Sequence, residues 1–125
     1  VVVLMEGYND VKQTPDDVVG IANAISGVTE MAREARRRGA RVFICTLAPG
    51  RAGRIEIQRS ALDYINDRLR QVALSEGAVL VDVFSALVPE VNANVTVDGL
   101  HLTPLGYRRV AETVFAAIRA DLEIR

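Results

Sequence analysis

Cysteine is nearly absent from this chain. Cys45 is alone among 125 residues, so these residues can form no internal disulfide and no cysteine-based metal site. Its neighbours Phe43, Ile44 and Leu47 predict a buried strand thiol. Histidine is equally scarce. His101 is the only one, so any imidazole chemistry in these residues must happen there. An excess of charge is missing too: 15 Lys and Arg stand against 16 Asp and Glu, a net charge of −1. That removes the basic surface by which nucleic acid or an anionic membrane would be recognised. No apolar run nears the roughly 18 residues of a membrane span. No Gly-x-Gly-x-x-Gly or Walker motif follows a β-like segment, which argues against a nucleotide-binding half-domain. Low-complexity segments and linkers are absent as well.

What is present is a single domain's worth of apolar pattern. Half the residues are apolar, enough to offset chain entropy and to exclude a disordered chain. Three Val- and Ile-rich runs stand out: Val1–Met5, Arg41–Leu47 and Val79–Phe84. They are continuous rather than alternating, which predicts parallel strands buried on both faces. Their starts, at 1, 41 and 79, are evenly spaced, and a helical pattern follows each. That is the rhythm of βα units feeding a parallel sheet through right-handed crossovers.

The helices carry their own punctuation. Thr14-Pro15-Asp16-Asp17 reads as an N-cap, a first-turn proline and two acids at the positive helix end. The stripe Val18, Ile21, Ala22, Ile25, Val28, Met31, Ala32 and Ala35 follows, ending at Arg36-Arg37-Arg38-Gly39. Gly20 and Gly27 weaken this helix and predict a break within it. A second helix spans residues 57–76. A third opens at Thr103-Pro104 and turns Val110, Val114, Phe115, Ile118 and Leu122 toward the core. Pro49-Gly50-Arg51-Ala52-Gly53 and Pro89–Val97 read as irregular loops after the second and third strands.

In such sheets ligands bind beyond the carboxyl ends of the strands. Two groups there can do chemistry. His101 sits on a loop in Asp98-Gly99-Leu100-His101, just before a helix. Asp98, three residues back with a glycine between, can curl onto the imidazole. It would fix the tautomer, stabilise the imidazolium and free the other ring nitrogen as a base. The bland alternative is a surface histidine beside a capping aspartate. Asn9 ends the first strand in Gly7-Tyr8-Asn9-Asp10, where its amide could donate to an oxyanion. The alternative is an Asx-turn, with Gly7 supplying the bend and Asp10 bracing the loop.

Gly-x-Asn-Asp after a buried strand and Asp-x-x-His some 90 residues later, followed by Thr103-Pro104-Leu105-Gly106-Tyr107, resemble the SGNH (GDSL-type) hydrolase superfamily. Gly7, Asn9 and Asp10 match the first block, Asp98 and His101 the second. Asn66 and Asp82 also look like the family, in structural roles. The resemblance covers essentially the whole chain. It implies a three-layer α/β/α, flavodoxin-like parallel sheet of family order 2-1-3-4-5. It implies hydrolysis of carboxylic esters, thioesters or acetylated sugars through an acyl-enzyme, with no metal or cofactor. By the same match His101 is the base, Asp98 its partner and Asn9 an oxyanion donor, with Gly7 and Asp10 supporting.

The family's Gly-Asp-Ser nucleophile block has no counterpart here. Ser26, Ser60 and Ser75 fall in helical patterns, and Ser85 follows the last strand without a sharp turn. The expectation is therefore the C-terminal part of one hydrolase domain, holding family strands 3, 4 and 5. About 60–80 residues carrying the serine would lie upstream, by the usual size of βα units. Val1–Met5 would then be an open edge that pairs with the missing half, a second chain or an exchanged strand. The competing reading is a non-catalytic α/β binding or interaction module.

Overall fold

The computed structural model describes residues 1–13, 18–55 and 57–123. The Thr14-Pro15-Asp16-Asp17 helix start lies outside them. Three strands, β1 (Val2–Leu4), β2 (Val42–Cys45) and β3 (Val79–Val81), form one parallel sheet in the order β1-β2-β3. Val2 pairs with Val42 and Leu4 with Ile44 on one side of β2. Phe43 pairs with Val79 and Cys45 with Val81 on the other. The helices are α1 (Tyr8–Gln13), α2 (Val18–Arg37), α3 (Arg59–Ser75), α4 (Val83–Leu87), α5 (Val91–Asn94) and α6 (Pro104–Glu123).

The period of two along β2 builds the layers. Val42 and Ile44 face one core with Leu4, and α2 and α3 cover it with Ile21, Ile25, Val28, Ile65 and Leu69. Phe43 and Cys45 face the other, closed by Val81, Val83 and Leu87 with Val110, Val114 and Ile118 of α6. The result is the expected three-layer α/β/α arrangement. Cys45 is buried, and burial pushes its thiol up to about 11, so it is an inert core residue.

Five sequence expectations need correction. Only β2 is buried on both faces; Val3 of β1 and Leu80 of β3 stay 40% and 38% exposed, because the helices cover the middle of the sheet more fully than its edges. The strands are also shorter than their apolar runs. The helix through Gly20 and Gly27 is continuous, because its buried stripe outweighs the roughly 1 kcal/mol cost of each glycine. Phe115 and Leu122 of α6 are mostly exposed, whereas Val110, Val114 and Ile118 face the core. Finally, the 89–97 stretch is largely a 3-10 turn (Val88–Glu90) running into α5.

Polar groups lock the carboxyl ends of the strands. Asn66 of α3 is buried and grips Leu47 twice, accepting from its amide at 2.7 Å and donating to its carbonyl at 3.2 Å. Thr46 donates to Asp82 at 3.0 Å and accepts from the Phe84 amide, while Asp82 caps α4 at Ser85 and receives Arg70. Asn66→Ala orphans both polar groups of Leu47. It should lower the unfolding free energy by about 2–4 kcal/mol, one to two per group. Urea unfolding of the whole gene product checks this. An unchanged midpoint would mean that water replaces the amide.

Candidate active site

The chain leaves β1 through a buried Gly7 at φ +123° and enters α1 at Tyr8. Asn9 therefore lies in the first turn of a short helix and not at the strand's last position, and its side chain is exposed. Asp10 falls in the same turn, where a carboxylate complements the positive helix end. Tyr8 anchors this turn. Its ring packs on both cores, and its hydroxyl donates to the carbonyl of Ala48, just past β2. Burial raises its pKa, so the phenol keeps its proton and stays a donor.

His101 sits on the connection between α5 and α6. An isolated bridge between Val95 and Leu102 closes that connection, backed by the Thr96 amide donating to the His101 carbonyl at 2.7 Å. A turn forms the tip, where the Gly99 amide donates to the Thr96 carbonyl and Gly99 takes φ +96°. The base is tied down by Thr103. Its amide donates to the Asn94 carbonyl at 2.8 Å, and its hydroxyl accepts from the Gly106 amide, so Thr103 caps α6.

This loop turns Asp98 onto His101. Asp98 Oδ2 lies 2.5 Å from His101 Nδ1. Asp98 Oδ1 accepts from the Leu100 amide at 2.8 Å, the His101 amide at 3.0 Å and the Thr96 hydroxyl at 2.7 Å. The Leu100 amide, then the His101 ring and the Thr96 hydroxyl, hold the Asp98 carboxyl well below the usual carboxylate range. A carboxylate so held is charged throughout the pH range of ordinary enzymes. Facing Nδ1, it favours the tautomer with the proton there and leaves Nε2 bare.

A cavity of about 250 Å³ brings the two sequence-predicted groups together. Asn9 and His101 both line it, with Met5, Tyr8, Ala48, Leu100, Leu102 and Tyr107. Asp98 stands behind the imidazole and is not among the lining residues. A larger cavity, about 570 Å³, is lined by residues of the 50–52 and 57–62 segments and includes neither Asn9 nor His101. The two candidate catalytic side chains, Asn9 and His101, thus belong to the smaller one. Ser26, Ser60, Ser75 and Ser85 lie on α2, α3, α3 and α4, and none lines the cavity with His101. Among the described residues no cluster of three or more His, Cys, Asp or Glu could hold a metal ion. No described helix is long and apolar enough to cross a membrane.

Two residues of this site escape sequence reading. Tyr8 looks like a variable position between Gly7 and Asn9, yet its hydroxyl ties the turn to β2. Thr96 is an ordinary loop threonine until the fold places its hydroxyl on Asp98.

A family model described as GDSL-like lipase/acylhydrolase matches residues 1–109. Among solved structures, the chain is similar to a lipase/acylhydrolase from Enterococcus faecalis, with 20% identity and a TM-score of 0.81 over 95% of this chain and 60% of that one. A GDSL-like lipase from Bacteroides thetaiotaomicron is similar at 22% identity and TM-score 0.77, over 97% of this chain and 62% of the other. An acetylxylan esterase from Geobacillus stearothermophilus is similar at 17% identity and TM-score 0.75, over 93% and 57%. The chain thus spans about three-fifths of the length of these structures. No curated protein matches it.

Proposed function

The chain belongs to the GDSL-like lipase/acylhydrolase family, and from that premise we propose that it carries the base half of a serine-dependent ester hydrolase. The observation that carries the reading is the 2.5 Å contact between Asp98 Oδ2 and His101 Nδ1, beside a cavity that Asn9 shares. His101 Nε2 takes the proton of a serine hydroxyl as that oxygen attacks the ester carbonyl. Asp98 orients the ring and stabilises the imidazolium. Asn9 donates to the oxyanion of the tetrahedral intermediate. The imidazolium then protonates the departing alcohol, and water releases the acyl group by the same steps. Gly7 and Asp10 shape the turn that presents Asn9. The substrate class is a small carboxylic ester, in the manner of a lipase, thioesterase or carbohydrate O-deacetylase.

The nucleophile belongs to residues outside this 125-residue sequence, because none of its four serines lies with His101. We read the chain as the C-terminal part of a single hydrolase domain. The outer edge of β1 is the natural seat for the remainder, whether on the same polypeptide or on a second chain. Val1 and Val3 are 62% and 40% exposed along that strand, and Val2, Leu4, Met31 and Ala35, with Glu30 and Glu34, line a hollow of about 460 Å³ beside it. An intact mass under denaturing conditions separates the two arrangements.

A fluorophosphonate probe tests the reading. The intact gene product should be labelled at one serine, outside residues 1–125, and His101→Ala should abolish the labelling. No labelling of a folded sample, with His101→Ala changing nothing, would favour a non-catalytic α/β module instead.

A further inference from the structure

The turn that carries Asp98 is held from outside its own loop. The Ile55 amide donates to the Asp98 carbonyl at 2.6 Å, and the Arg51 amide donates to the Gly99 carbonyl at 3.0 Å. Two glycines let these backbones meet. A Cβ on Gly53 would stand 2.5 Å from the Asp98 carbonyl carbon and from the Gly99 nitrogen. A Cβ on Gly99 would stand 2.6 Å from the carbonyl oxygens of Arg51 and Ile55. All of these are backbone atoms, which cannot swing aside as a side chain can. Arg51 also reaches the segment's base, where its guanidinium donates to the Asn92 carbonyl of α5 at 3.0 Å.

Asp98 is therefore gripped at both ends. Its carboxylate is fixed by the 96–101 turn, and its carbonyl by the 50–55 loop. Any shift of the Asp98–Gly99 peptide moves the carboxylate relative to the imidazole. A shift of about 1 Å would stretch the 2.5 Å contact to the limit of a hydrogen bond. We propose that the 50–55 loop is a positioning clamp for the Asp98–His101 pair, keyed by the backbone contact of Gly53 with Asp98 and Gly99. The proposal rests on the reading of that pair as the base of an ester hydrolase. Gly53 is a positioning residue: it acts through the Asp98 backbone.

Gly53→Ala in the whole gene product tests the clamp, with Gly27→Ala as control. The control adds a methyl to α2 where nothing lies within 4 Å. Gly53→Ala should lower kcat about 10²-fold, the scale of a misplacement near 1 Å, with little change in KM. Imidazole nitrogen NMR supplies a second readout. In the wild type the proton should sit on His101 Nδ1, and in Gly53→Ala the ring should drift toward the Nε2-protonated form of a free imidazole. The thermal midpoint should fall modestly, because the backbone must shift to admit the methyl, so the tautomer rather than the midpoint decides. Arg51→Ala, which adds no atom to the contact, should give a smaller fall in kcat in the same direction.

A Gly53→Ala protein with unchanged kcat and unchanged tautomer overturns the clamp. So does one whose thermal midpoint falls while the tautomer stays on Nδ1, because Gly53 would then serve stability alone. The tautomer is read without substrate. A wild type that hydrolyses no ester, yet shows the tautomer shift in Gly53→Ala, would keep the clamp and remove the hydrolase.

Discussion

His101→Ala is expected to lower kcat for an activated ester roughly 10⁴–10⁶-fold in the whole gene product, with KM little changed. The size follows from the role proposed for the imidazole: a serine hydroxyl is a poor nucleophile while it keeps its proton, and in that reading His101 Nε2 removes it. No other histidine exists in these residues to take over. What survives the substitution is the residual rate from binding and oxyanion stabilisation. Asp98→Ala should cost less, because it removes the orienting partner and leaves the base. Asp98 contributes no loss of activity under mildly acidic conditions, since the Leu100 amide, the His101 ring and Thr96 hold it ionised well below the usual carboxylate range. Wild-type turnover in His101→Ala would sink the base assignment. Equal losses in both variants would mean that the two act only as a unit.

Much of this arrangement is legible before any coordinates. Continuous apolar runs at even spacing announce parallel strands, and the reason, a strand covered on both faces having no polar side to alternate, holds in full for β2. The Asp98-Gly99-Leu100-His101 spacing is local, so turn geometry alone brings the carboxylate to the ring. Thr103-Pro104 starts α6 where Thr-Pro chemistry predicts it, and the Gly106 amide lies on the Thr103 hydroxyl. The places where reading fails are those set by distant residues. Phe115 and Leu122 sit on the α6 stripe by period, yet they are mostly exposed in the described structure. Gly20 and Gly27 should interrupt a lone helix, but the sheet holds α2 together through Ile21, Ile25 and Val28. The clamp on Asp98 is invisible in sequence for the same reason. Gly53 and Gly99 lie 46 positions apart, and only the fold brings their backbones into contact.

Asn9→Ala is expected to lower kcat by about 10²–10³, or roughly 3–4 kcal/mol of transition-state stabilisation, again with KM nearly constant. An oxyanion donor acts only when charge has developed on the carbonyl oxygen, so its loss appears in turnover rather than in ground-state binding. The placement of Asn9 favours this role. It shares the 250 Å³ cavity with His101, and most other lining residues are apolar. The backbone that carries the amide is fixed from both sides: Gly7 takes the left-handed bend, and the half-buried Tyr8 phenol ties the first turn of α1 to Ala48. Asn9→Asp is the sharper variant. It keeps the shape but exchanges the donor for a carboxylate, which repels an oxyanion, so kcat should fall at least as far as in Asn9→Ala. If Asn9→Asp keeps wild-type turnover, the side chain serves the turn and not the reaction. If the loss falls on KM alone, Asn9 holds the substrate before the bond changes begin.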